Sequence, residues 1–278
     1  MSQEPTMTQT SHAPAYADIV DLDRHPIHRL DSDEGRDFVA DCRTALARTG
    51  VCHLEGFVRP EAVAAMVEIA GQLDGDAWAS DRMHTIYFEE PDDSVPAQHP
   101  RAHLVRSAKH GIAYDQIPAD APMRRLYESD DLTNFIATVL DKPVLHRSAD
   151  PLDALQVTLF HPGEELGWHF DRSEFSVTVM YQQADEGGDF ECLPGLRSDD
   201  DENYPGVQRL LQGDRTGLQV LPSAPGTLAF FRGERALHQV TPVRGTTPRI
   251  NSVLTYGERP DMKLNDLTSE LFYGRTSR

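Results

Sequence analysis

Cysteine is scarce in this chain of 278 residues, which holds three, at positions 42, 52 and 192. They form no C-x-x-C pair, which excludes a zinc ribbon and a thioredoxin-type redox centre. An odd, dispersed set also argues against a disulfide framework, so each reads as a small buried hydrophobe in a reducing, cytoplasmic setting. Positive charge is short as well: 26 Lys and Arg stand against 45 Asp and Glu, a formal net charge of −19. Nucleic acid and anionic membrane surfaces both need a basic face, so neither is an expected partner. Such an acidic shell leaves the substrate open, because a pocket inside it can still be basic. No apolar run approaches the roughly 20 residues needed to span a bilayer. The first 16 residues show no basic segment followed by an apolar one, so no secretory signal is expected and they read as a flexible N-terminal tail.

What is present reads as one domain over residues 17–278. Apolar residues at helical spacing predict helices over 32–48, ended by Gly50, and over 60–73, opened by Pro60. Further helices are expected over 121–128 and 132–140, with a short strand at 51–57. Residues 74–101, rich in Asp, Pro and His, read mostly as loop. From 143 the texture changes to short β-rich runs punctuated by Gly and Pro: 143–146, 155–160, 175–181, 190–193, 216–220, 227–231, 239–243 and 250–256. Helices first and strands afterwards predict an α+β domain, with N-terminal helices packed outside a β core at about 143–257. Residues 198–217, with three successive aspartates and a polar run, look like an inserted loop or lid.

The segment Gly167-Trp168-His169-Phe170-Asp171 carries the chemistry. On an extended chain, residues two apart point to the same side, so His169 and Asp171 are able to reach one ion. His238 would complete a set of two imidazoles and one carboxylate, which suits non-haem Fe(II) with positions left for co-substrate and O2. The H-x-D spacing alone means little in a chain with 12 histidines and so many aspartates. Its context means more. Arg249 follows His238 by eleven positions on a predicted strand, where a guanidinium can pair bidentately with the distal carboxylate of a keto diacid.

H-x-D, a distal His and an Arg about ten residues later resemble the Fe(II)/2-oxoglutarate-dependent dioxygenase superfamily. Gly187-Gly188-Asp189-Phe190-Glu191, Leu193-Pro194-Gly195 and Ala224-Pro225-Gly226-Thr227-Leu228-Ala229-Phe230-Phe231 strengthen the likeness to its prolyl-hydroxylase-like and phytanoyl-CoA-hydroxylase-like members. The resemblance spans roughly residues 155–256 and implies a double-stranded β-helix, or jelly-roll, core. It also implies that His169, Asp171 and His238 bind Fe(II) and that Arg249 binds 2-oxoglutarate, with O2 as the second co-substrate. Gln156 and Thr158, on the preceding strand, are expected to contact the co-substrate. Where relatives have Arg-x-Ser, Asn251 takes the place two after Arg249. Radical halogenases of the superfamily have Gly or Ala where Asp171 stands, so hydroxylation or a related oxidation is favoured here.

Substrate contacts are sought at Arg106 and Arg172, as carboxylate partners, and at Trp168, as a pocket wall. His110 and His161 read as ordinary polar residues. The expected function is oxidation of an unactivated C–H bond in a small molecule, an amino acid or a metabolite derived from one. That class is suggested by the resemblance of the segment from His169 to Phe175 to amino-acid-modifying members. A protein or peptide side-chain hydroxylase and a non-catalytic metal-binding β-barrel are the alternatives, and only an oxygenase needs the Arg249 clamp.

Overall fold

A computed structural model describes residues 14–89, 92 and 94–276. Its first helix, α1 (Asp33–Thr49), begins where the Ser32 side chain accepts from the Gly35 N–H, and stops at Gly50, whose φ is +74°. A strand follows, β1 (Val51–Leu54), and then α2 (Pro60–Leu73), opened by its proline. Two long strands, β2 (Trp78–Thr85) and β3 (Leu104–Ile112), come next, and then α3 (Pro122–Tyr127) and α4 (Asp130–Val139). The β region runs β4 (His146–Arg147), β5 (Leu155–Phe160), β6 (Glu165–His169), β7 (Ser176–Gln182), β8 (Glu186–Gly187) and β9 (Phe190–Leu193). After α5 (Tyr204–Leu211) come β10 (Gln219–Leu221), β11 (Leu228–Phe231), β12 (Leu237–Val240), β13 (Val243–Arg244), β14 (Arg249–Leu254) and β15 (Tyr256–Gly257). Helix α6 (Asp266–Tyr273) follows.

One antiparallel sheet in the order β1-β11-β7-β14-β5-β3-β6-β12-β9-β10 curls into the jelly-roll core. Four strands, β11, β7, β14 and β5, make one wall, and β6, β12, β9 and β10 make the other. Strand β3 joins the walls by pairing with both β5 and β6. Helices α1 to α4 cover the first wall: Val39, Met66, Leu126 and Phe135 share a core with Val157, Val177, Ile250 and Phe230. This assigns the faces. Leu155, Val157 and Leu159 of β5 and Ile250 and Leu254 of β14 lie in the helix-side core. Alternation then turns Gln156, Thr158, Arg249 and Asn251 to the barrel interior.

Three features depart from the sequence expectations. Residues 74–101 contain β2, which pairs with β3 over eight registered positions, from Trp78↔Gly111 to Thr85↔Leu104. An edge strand with exposed Trp78 and Met83 has no buried face, so no alternation marks it. Of the expected tail, residues 1–13 lie outside the described residues, but Tyr16 is buried and its hydroxyl donates to the Asp131 carboxylate. The 198–217 insert folds partly as α5, whose Val207 and Leu210 pack on Trp168, Phe170 and Leu237. The strand neighbours of these residues, His169 and His238, point the other way, so α5 backs the site and does not close over it. No described helix is long and apolar enough to cross a membrane.

Gly167 sets how closely β6 approaches β3. A Cβ there would stand 2.7 Å from the Arg106 carbonyl oxygen and 2.7 Å from Val105 Cβ. Backbone cannot yield cheaply, so Gly167→Ala must push β6 away and take His169 with it. The expected loss is about 1–3 kcal/mol of stability, as for other overpacking changes, together with weaker metal binding; urea unfolding and metal titration check both.

Candidate metal centre

His169 ends β6 and His238 lies in β12, and the two are directly paired across the strands, with ring centroids 4.1 Å apart. Each ring is held in the same way. His169 Nδ1 lies 2.8 Å from the Gly167 carbonyl oxygen and His238 Nδ1 lies 2.8 Å from that of Ala236. A carbonyl only accepts, so both Nδ1 atoms carry the proton and both Nε2 lone pairs are free for a metal. They face Asp171 Oδ1, at 3.4 Å from His169 and 3.5 Å from His238. The three are grouped as a set able to hold one ion.

The Asp171 carboxylate is built in. Its backbone N–H donates to the Gly233 carbonyl oxygen, and the Ser176 hydroxyl donates to Oδ2. A Cβ on Gly233 would stand 2.1 Å from Oδ2, so the carboxylate occupies the space a side chain there would take. Burial disfavours charge on Asp171, but the two imidazoles outweigh it and hold the carboxyl well below the usual range. Burial, with the His238 charge nearby, pulls His169 down to about 4. His238 moves the other way: burial opposes its charge, but Asp171 prevails and the pKa rises.

Arg249 lies on the interior face, 6% exposed, with its guanidinium 5.5 Å from the centre of the Phe160 ring. Its Nη1 donates to the Asn251 side chain, while its Nε has no partner. Among the described residues no carboxylate forms an ion pair with it, and burial lowers its pKa to about 10. A buried cation that only the Asp189 carboxylate offsets, without an ion pair, is costly, so this is a cradle for an anion. Phe160 packs with Phe190, and the Phe190 ring lies 5.5 Å from that of His238. Two aromatic rings, Phe160 and Phe190, thus connect the guanidinium to the imidazole.

Gln156 and Thr158 line the same wall; Thr158 is registered opposite Asn251. Gln156 Oε1 accepts from Lys109 Nζ at 3.2 Å, a contact not anticipated from the sequence. Lys109 also has no ion-pair partner among the described residues, and burial lowers its pKa against the pull of Asp153 and Asp171. Asp153 accepts from the Tyr273 hydroxyl at 2.7 Å, and burial raises it to about 6. Phe88 reaches the centre from the loop after β2, edge-on to His169 at 5.4 Å and stacked on His84 at 4.4 Å.

The three expected substrate contacts fall elsewhere. Arg106 is occupied by Asp81, at 3.0 Å through both Nε and Nη2, and by Glu165. Trp168 is turned into the cluster beneath α5. Arg172 is exposed and donates to the Phe88 carbonyl oxygen at 2.7 Å. Two surface pockets, of about 610 and 940 Å³, lie between α1 and the segment after β9 and beside α2, away from the triad. The triad opens instead through Asp171, whose side chain is 21% exposed.

A family model described as Halogenase D matches residues 35–273. The chain belongs to the Halogenase D family. No curated protein matches it in sequence. Solved structures share its fold at low identity. An oxidoreductase of the 2OG-Fe(II) oxygenase family from Burkholderia pseudomallei is 18% identical, with a TM-score of 0.50 over 80% of this chain and 91% of that one. AviO1 from Streptomyces viridochromogenes Tue57 is 19% identical, with 0.53 over 81% and 97%. The non-heme alpha ketoglutarate dependent epimerase SnoN from nogalamycin biosynthesis is 15% identical, with 0.55 over 80% and 81%. In this chain the carboxylate at 171 is seated against Gly233 and Ser176.

The opposed histidine shifts give a pH dependence. A metal needs both imidazoles neutral, and a raised pKa on His238 means that protons compete there at higher pH than at His169. Affinity of the metal-free protein for a divalent ion should therefore climb as pH rises through the His238 pKa, with proton release on binding. Calorimetric titration in buffers of different ionisation enthalpy counts those protons; affinity flat above pH 5 contradicts the assignment.

Proposed function

We propose that this protein is an Fe(II)/2-oxoglutarate-dependent oxygenase that hydroxylates an unactivated C–H bond of an amino acid or a small metabolite derived from one. The observation that carries the reading is the convergence of His169, Asp171 and His238 inside a barrel that also buries an unpaired Arg249. Two neutral imidazoles and a carboxylate suit ferrous iron and leave room for a chelating keto acid and O2. Iron with these co-substrates supplies the oxidising chemistry. The chain binds, orients and keeps water out.

Arg249 is the partner for the distal carboxylate of 2-oxoglutarate, with Asn251 and Thr158 beside it. Lys109 is then a second unpaired cation, suited to a second carboxylate, that of the substrate. Asp153, ionised above its pKa of about 6, is the matching anchor for an amine. A cation and an anion at one site fit a zwitterion, and this supports an amino-acid substrate. Phe88 and His84 supply an apolar cover beside His169. The seated carboxylate of Asp171 supports oxygen insertion over halide transfer, because it fills the position that halogenases of the superfamily leave without a side-chain carboxylate.

The test is a screen of free amino acids with Fe(II) and 2-oxoglutarate, read by succinate formation and by product mass in the presence of chloride. Gain of one oxygen is expected; a chlorinated product, or no anaerobic binding of 2-oxoglutarate, sinks the proposal. Arg249→Ala should weaken 2-oxoglutarate about 10–100-fold with iron retained, the value of a lost charge-assisted contact. Lys109→Met should instead raise KM for the amino acid and leave 2-oxoglutarate binding close to wild type. Equal effects of both substitutions on both ligands would contradict the division of labour.

A further inference from the structure

Outside the triad, a second group of ligand-type side chains comes together where α2 ends against the sheet. Asp74 directly follows α2, His110 belongs to β3, and His161 directly follows β5. Asp74 Oδ1 is 3.1 Å from His161 Nε2 and 3.7 Å from His110 Nδ1. The two rings meet edge to face with centroids 4.5 Å apart. One metal-type atom from each of the three lies within 4.8 Å of the others.

Hydrogen bonding explains only part of this arrangement. The His161 contact is within hydrogen-bond range, but 3.7 Å is beyond it. His110 Nδ1 is closed off from solvent and has no hydrogen-bond partner. The atom is aimed at a carboxylate oxygen too distant to bond directly, and a cation between them would satisfy both. Tetrahedral ions with bonds of about 2.0–2.1 Å hold neighbouring ligand atoms about 3.3 Å apart, and the observed separations bracket that value. Two imidazoles and one carboxylate match the donor preferences of Zn(II).

Glu164 completes the surroundings. Its Oε1 lies 3.9 Å from His110 Nε2, on the far side of the ring from Nδ1, and its Oε2 accepts from the His161 backbone N–H at 2.8 Å. The bond to the His161 backbone ties Glu164 to one member of the group and adds a carboxylate beside another. We propose that Asp74, His110 and His161 form a second divalent-metal site, of zinc type, separate from the triad. An ion there ties the end of α2 to β3 and to the exit of β5. It pins the strand that carries Lys109, next to His110 in the chain. The site does not depend on the oxygenase reading.

Titrating metal-free protein with Co(II) tests the proposal. Wild type should take up two equivalents per chain at micromolar metal, with an intense visible band of a tetrahedral centre. His161→Gln and Asp74→Asn should each bind one equivalent and lose that band. His169→Ala should also bind one but keep it. Zn(II) should raise the Tm of His169→Ala by several degrees and leave the Tm of the double variant His161→Gln, His169→Ala unchanged. A wild type that shows no tetrahedral band at micromolar metal overturns the site. So does a His161→Gln or Asp74→Asn protein that keeps both equivalents, or filling only at millimolar metal.

Discussion

The arrangement depends on one cross-strand pair. Because β6 and β12 run antiparallel with His169 opposite His238, two imidazoles are delivered side by side by backbone hydrogen bonding, not by flexible side chains. Each ring then borrows the carbonyl of the residue two earlier in the chain to fix its proton on Nδ1. Asp171 arrives just past the end of β6, where the chain leaves the ladder and its N–H turns to the Gly233 carbonyl. The geometry is therefore set before any ion binds, which is what a preorganised centre requires.

Much of this was legible in the sequence, because period-two alternation is a strong local rule. It placed His169 with Asp171 and Gln156 with Thr158, and the register of β14 put Asn251 on the side of Arg249. The same rule was enough to turn Trp168 away from His169, and the structure does so. Other residues were illegible for physical reasons. Arg106 looks free in the sequence, but its partner Asp81 is supplied by the opposite strand of a hairpin that carries no hydrophobic pattern. Lys109 lies in that same hairpin, and its meaning comes from Gln156 across the sheet and from the lack of an ion-pair partner among the described residues.

Charge is distributed with a consistent logic. An excess of acid on the outside coexists with two buried cations in the interior, Arg249 and Lys109, neither of which forms an ion pair among the described residues. Folding pays to desolvate both, and a protein keeps such a cost where a ligand later offsets it. Asp153 balances Lys109 only from a distance, with its own proton held close to neutrality by burial. The interior is thus electrostatically unfinished, with two cations that await a partner.

The fit of the Asp171 carboxylate against Gly233 reaches beyond this molecule. With the carboxylate in place, position 233 tolerates no side chain, since even a methyl group would overlap Oδ2. The two positions are therefore coupled by volume, although they stand on separate strands' ends and far apart in the chain. A relative that shortens residue 171 is released from the need for glycine at 233, whereas one that keeps the acid is not. The two positions thus share one recess, which holds a single side chain, and here residue 171 supplies it.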